Sequence, residues 1–482
     1  MLLSRKMKMM DKIDGQARQR LVYYGVPLLG VLLCLWYVKE ATCDIVYTDY
    51  IRLVNTYLPD VWNPEKFFVP DVLTRIPVNY LSRIINVTFF GYSTTFDMVL
   101  GILGLGLSGL ILGMYCRDQN VGTGWFVFLM FLLFGLNKWE MMTNGTGWAH
   151  FLAFAGFYGY YRIFDRVLYG KGKKCDSWLL LTMPAVITLG VAGPYCAVYS
   201  VVVFLSCGAA WLKNRQEKGR NGKLWGLVFV CTLIPLLLYM WSNSYAVEDH
   251  AGAVDVGLAE LLLTAPRFFV RFVLKSLASM LVGGETITGW IESGKIHDSM
   301  VYGMGLTAAA GYLAAFWLNF RFHLYKRTLL PLMLLFSGVG NHGIVLISRF
   351  IFVNENYGMS SRYALQYQAG ILGIILTFAM TWRAWKKNGW EKRFFKTAAA
   401  VFCLILFAGH GYTDYVEAKK APDREAYGRR IEAIAVQFEA VEDDVLRENF
   451  DYRRSRPDSG AKVRSALTIL KDNGWNVFGR QQ

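Results

Sequence analysis

Apolar positions in this chain are gathered into unbroken blocks of roughly 17 to 25 residues, and polar residues cluster in the gaps between them. A helix of that length crosses the roughly 30 Å hydrocarbon layer of a bilayer. The blocks fall at 21–38, 96–116, 124–138, 147–163, 178–193, 195–212, 224–242, 299–319, 328–347, 364–382 and 397–412. They predict an all-α polytopic membrane protein with about eleven transmembrane helices. The one long apolar stretch between Trp178 and Leu212 is divided into two passes at Gly193-Pro194, because basic segments flank both of its ends.

Between the blocks lie three long polar or mixed regions on one side: 39–95, 243–298 and the tail 413–482, with a shorter loop at 348–363. In the first, Trp62, Phe67, Phe68, Leu73, Ile76, Leu81 and Ile84 are too apolar for a solvated loop. Short helices lying along the membrane surface are expected, broken by Pro59, Pro64, Pro70 and Pro77. In the second, Arg267, Arg271 and Lys275 recur every four residues opposite Phe268, Phe269, Val270 and Leu274, which predicts an interfacial helix with a basic stripe. In the tail, Ile431, Ile434, Phe438, Val441 and Val445 predict one amphipathic helix, and Asp458 a cap for a second that stops at Gly474.

Charge then orients the chain. With residues 1–20 cytoplasmic, the inside segments hold roughly half of the chain's 51 Lys and Arg, which places the N-terminus inside and the tail outside the plasma membrane. The net charge of +15 is thereby read as topology, and nucleic acid is not an expected partner. The segment 1–20 is too charged to serve as a cleaved signal, so the first span is expected to remain as an anchor. Eight cysteines show no metal-ligand spacing; Cys43 and Cys196 both fall outside, but buried thiols are the preferred reading over a disulfide between them.

No Walker A, HExxH or GxSxG motif is present, and the "GLGLSG" at 104–109 lies within a span, where small residues serve helix packing. Attention therefore passes to ionisable groups at the outer edge, where charge beside hydrocarbon is costly. In "VYTDYIRLVN" Asp49 and Arg52 are three apart, with Tyr50 beside them, so that a general base or a cation site is balanced against simple interfacial anchoring. In "ISRFIFVNENYGMSSRYALQYQAG" Arg349 and Arg362 bracket a loop, and Tyr363 opens the next span. Phosphate capture at a helix start stands beside snorkelling as its explanation. His342, between glycines, is a candidate ligand or a packing residue; Glu140, His150, Glu248, Asp249, His250, Glu285 and Glu355 complete the outer inventory. Asn86-Val-Thr88 and Asn144-Gly-Thr146 match the glycan acceptor pattern.

This layout resembles the GT-C superfamily of membrane glycosyltransferases. In that family the first outer loop follows the first span, forms surface helices and carries an acidic residue; "CDIVYTDYIRLVN" followed by "FFVPDVLTRIPVNYLSRIIN" is similar to it. The resemblance implies a polyprenyl-phosphate-linked sugar donor and a glycan or lipid acceptor, with Asp49 as base and Asp44 as its substitute. Arg349 or Arg362 would hold the phosphate, with His342, Tyr363, Arg52, Arg267 and Arg271 as further candidates. No cofactor is fixed, and a divalent metal is left open. The chain departs from the family in spacing its two acids five residues apart. Alternatives are a lipid or polysaccharide transporter, a surface-glycan polymerase or ligase, and an envelope scaffold; inverted repeats and midplane charges expected of a transporter are not seen in the sequence.

Overall fold

The computed structural model describes residues 2–68, 77–216, 222–244, 253–382, 384 and 390–481. Every regular element among them is helical. Nine helical stretches are long and apolar enough to cross a membrane: Leu21–Ala41, Thr94–Asp118, Thr123–Thr143, Lys174–Gln216, Gly222–Asn243, Asp298–Arg321, Leu330–Phe352, Ser361–Thr381 and Glu391–Val436. Two features separate this set from the eleven blocks of the sequence. Lys174–Gln216 is one stretch, yet it contains a π-helical turn at Val186–Ala192 and then Gly193 at φ 53°, where a turn was expected. Trp148–Leu168 is 21 residues long, but His150, three tyrosines and Arg162 dilute its hydropathy.

Glycine sets how closely these helices approach. A Cβ on Gly104 would meet the backbone of Leu152, one on Gly106 would meet Val31, and one on Gly113 the Tyr23 carbonyl. The glycines of "GLGLSG" are thus contact points, as helix packing in lipid requires. Gly338 and Gly370 likewise bring Leu330–Arg349 against Ala364–Thr381, and the latter is buried along nearly its whole length.

A second apolar core lies beyond the end of the bundle. It joins Ile45, Val46, Tyr50, Val54 and Tyr57 of the segment after the first long helix to Ile431, Phe438, Leu446, Leu467 and Phe478 of the tail. The helix Trp390–Val436 makes this union: its 47 residues measure about 70 Å, more than twice the hydrocarbon thickness. Its first half is apolar enough to cross a membrane, and its second half packs against the second core. The Asn476 side chain fastens the junction, its Nδ2 donating to the Tyr92 carbonyl at 3.1 Å and its Oδ1 accepting from the Val46 N–H at 3.2 Å.

Three expectations need correction. The tail periodicity from Ile431 to Val445 is not one helix: it ends at Val436, Phe438–Ala440 forms a turn, and Val445 is exposed on the next helix, Asp443–Asn449. Phe438 and Leu446 fill the core in its place. Asp458 precedes the helix Ser459–Asp472 but pairs with Lys462 at 2.7 Å without capping. The basic stripe on Pro266–Ala278 is split between two environments. Arg267 and Arg271 are exposed, whereas Lys275 is buried against Asp298 at 3.0 Å and donates to Asn356 Oδ1 at 2.6 Å. That helix is packed into the bundle because Gly305 allows the Leu274 carbonyl to touch the helix Asp298–Arg321. Leu73, Ile76, Pro70, Glu248, Asp249 and His250 lie outside the described residues.

Candidate functional site

Helix N-termini present backbone N–H groups with no partner in their own helix, and carboxylates from elsewhere in the chain satisfy several of them. Asp44 does this for Thr94–Asp118: it accepts from the Thr94 N–H at 2.6 Å, the Thr94 hydroxyl at 2.9 Å and the Ser93 hydroxyl at 2.9 Å. Asp165 accepts from the Leu329 N–H at 2.5 Å and Thr328 Oγ1 at 2.8 Å, and Asp414 from the Leu136 N–H at 2.6 Å. These acids hold helices in place, and their oxygens face donors already.

Asp49 is placed differently. It opens the helix Asp49–Tyr57, half-buried, and accepts from Asn144 Nδ2 at 3.5 Å. Two guanidiniums, Arg52 and Arg362, lie within its electrostatic reach. Next to it opens a cavity of about 170 Å³, lined among others by Thr48, Asn144, Trp139, Glu140, Arg362 and Arg424. Charge around this cavity is paired and ordered. Glu140 receives Arg362 Nε and the Ser361 hydroxyl, the latter at 3.0 Å. The Ser361 N–H in turn donates to Glu285 at 3.0 Å.

The opposite wall comes from the long exit helix. Arg424 lies 3.6 Å from the centre of the Trp139 ring, donates to Tyr37 Oη at 2.6 Å and pairs with the buried Glu417. Tyr47 and Tyr427 meet edge to face at 6.4 Å, and Asp451 completes the rim. Burial sets the protonation of the surrounding groups. It raises the Glu285 carboxyl, lowers the Arg52 guanidinium and pushes the Tyr47 hydroxyl up to about 12. Tyr50 is raised well beyond its ordinary value by burial and by Asp97, to which it donates at 3.0 Å. These tyrosines are therefore neutral hydrogen-bond donors at physiological pH.

The cavity unites Arg362 with Glu140, Arg424 and Asp451; Asp49 adjoins it through Thr48 and Asn144 without lining it, and the remaining candidates lie apart from it. Arg349 donates to Tyr363 Oη at 2.7 Å away from the lining. His342 is buried with Nδ1 on Ser276 Oγ at 3.0 Å, Nε2 on Met280 Sδ at 3.1 Å and its face stacked 4.0 Å from the Tyr367 ring. That is a packing role, with both nitrogens engaged. Arg267 and Arg271 line no part of the cavity. Asn86 is buried and bonds Ser93, which removes it as a glycan acceptor in the folded chain. None of the eight cysteines is joined in a disulfide.

Sequence reading named Glu140 and Glu285 without a role and passed over Trp139, Arg424, Glu417 and Asp451. "NKWE" gave a usable signal, since a charge pair interrupts an apolar block at its outer end. For the tail residues no local signal existed. Larger cavities of about 820 and 600 Å³ open at the opposite end of the bundle, but no carboxylate lines either. Among the described residues no three His, Cys, Asp or Glu side chains are grouped as metal ligands. No family model, curated protein or solved structure matches this chain.

Proposed function

We propose that this chain is a membrane glycosyltransferase that moves a sugar from a polyprenyl-phosphate-linked donor to a glycan or lipid acceptor at the outer face of the plasma membrane. The reading takes residues 1–20 as cytoplasmic. It counts Trp148–Leu168 and both arms of Lys174–Gln216 as crossings, which gives the eleven spans of a GT-C-like layout. One observation supports it: Asp49, a carboxylate whose single hydrogen bond among the described residues is the long one from Asn144, lies within electrostatic reach of Arg362 and beside a ring-walled cavity.

In this mechanism the acceptor hydroxyl lies against Asp49, which takes its proton as the oxygen attacks the anomeric carbon. The bond between that carbon and the phosphate oxygen breaks, and the phosphate leaves with the electron pair. Arg362 is the favoured counter-charge for that phosphate, because it lines the cavity and Arg349 does not. Glu140, which also accepts from the Ser361 hydroxyl, holds the guanidinium in place. Trp139, Tyr47 and Tyr427 line the cavity and give it an aromatic wall beside the sugar. Attack opposite the leaving group inverts the anomeric centre. Among the described residues the acids are not grouped as a metal-ligand set, and the steps above use side chains alone.

The test is a profile of surface glycans and lipid-linked sugars in cells making wild-type protein, Asp49→Asn or none, at matched membrane levels. Loss of one modification in both the variant and the null is the expected result. A modification lost only in the null removes Asp49 as base, and an unchanged profile in the null removes the transferase reading.

A further inference from the structure

At the end of the bundle opposite Asp49, a groove of about 600 Å³ runs between Cys196–Gln216 on one side and Asp298–Arg321 and Leu330–Arg349 on the other. Leu205, Ala209, Leu212 and Gln216 recur along one face of the first helix, three or four residues apart, all in its lining. That face is about 16 Å long at 1.5 Å per residue, roughly half the 30 Å hydrocarbon layer. The groove therefore matches one leaflet.

Its chemistry is graded along that length. Toward the middle of the bundle the lining is Leu205, Leu332, Met333 and Phe336; at the helix ends it is Lys213, Gln216, Lys326, Tyr169 and Tyr325. Both charged lining residues are cationic, and none is acidic. Lys213 also lies 5.3 Å from the Tyr169 ring centre, a contact that fixes its ammonium at the groove mouth. Leu205, Leu212, Phe320 and Phe336 are exposed and so present an apolar trough open to the side.

From this juxtaposition we infer that the groove is a binding site for an anionic diacyl phospholipid, with its phosphate between Lys213 and Lys326 and one acyl chain along Leu205, Leu332 and Phe336. A zwitterionic lipid fits the trough but gains less at the mouth, where a lysine near an anionic headgroup strengthens binding. The site is independent of the transferase reading, since it lies at the other end of the molecule and uses none of its residues.

Native mass spectrometry of delipidated, detergent-purified protein titrated with equal dioleoyl-phosphatidylglycerol and dioleoyl-phosphatidylcholine tests it. Wild type is expected to retain mainly phosphatidylglycerol, and Lys213→Ala/Lys326→Ala to bind it roughly 30-fold more weakly. Arg215→Ala, an exposed basic residue outside the lining, should bind as wild type does. Ala209→Trp fills the trough without touching charge and should lose both lipids. Equal retention of the two lipids, or a double variant that binds phosphatidylglycerol unchanged, overturns the proposal. So does Ala209→Trp dissociating a protein dimer while lipid adducts persist, which assigns the groove to a second copy of the chain.

Discussion

Replacing Asp44 by alanine should loosen the outer layer of this protein far more than the same change at Asp49. Asp44 accepts three close hydrogen bonds, from the Thr94 N–H at 2.6 Å and from two hydroxyls at 2.9 Å each. Bonds to a charged acceptor contribute about 1.5 kcal/mol each at the low end, hence about 4.5 kcal/mol in all. Discounting for solvent around a half-buried carboxylate leaves about 3 kcal/mol. Asp49 has one 3.5 Å contact and the favourable end of a short helix, together below about 1 kcal/mol. Hydrogen exchange read by mass spectrometry in micelles reports local opening of residues 45–57 and 459–478 directly. For Asp44→Ala, 3 kcal/mol corresponds to about 100-fold faster exchange in both segments, and for Asp49→Ala the change stays below about 5-fold. Exchange in Asp44→Ala within 3-fold of wild type, or faster exchange in Asp49→Ala, would refute the division of labour between these two acids.

Glu285 provides a pH test. Burial raises its folded-state carboxyl above the unfolded value, so the stability that its protonated form contributes is complete below the ordinary glutamate range and is lost as pH rises through the folded value. Glu285→Gln, neutral at all pH, should therefore unfold at a higher temperature than wild type at pH 8, with the difference gone below about pH 4.3; a more stable wild type at pH 8 counts against it. Arg424→Met leaves the buried Glu417 with Lys420 at 3.6 Å and should cost about 3 kcal/mol in thermal unfolding, most of it recovered in Arg424→Met/Glu417→Gln. A double variant no better than the single one would contradict the pairing. On one helix, Gly305→Ala meets the Leu274 carbonyl and should lose about 2 kcal/mol, while Gly303→Ala meets nothing and should match or exceed wild type; equal melting temperatures for the two would deny the close approach.

Nine apolar stretches were legible because length and hydropathy alone decide them; Trp148–Leu168 is not among the nine, and Lys174–Gln216 counts there as one stretch, with Gly193 at φ 53° inside it. The work of individual acids was not legible. Asp44 and Asp49 look interchangeable five residues apart, and only the position of Thr94 shows that the first is a helix cap. Lys275 reads as part of a surface stripe because the stripe is a property of one helix, whereas its burial depends on Asp298 and Asn356 from two other segments. Glu140 and Arg362 are paired across 222 positions. Arg424 lies before the periodic stretch that begins at Ile431; the helix Trp390–Val436 runs through Pro422 and carries Arg424 to the Trp139 ring.

The shared core of first loop and tail also imposes an order on biosynthesis. Tyr50, Val54 and Tyr57 leave the ribosome roughly 370 residues before their partners Ile431 and Phe438. At about 5 to 20 residues per second, the early half of that core waits roughly 20 to 75 s for the late half. During that interval its apolar side has Val87 and Tyr92 as early partners but lacks the tail residues that complete the core. A chain that stops short of the tail leaves that side uncovered for good, which gives quality-control proteases a direct mark of an unfinished molecule.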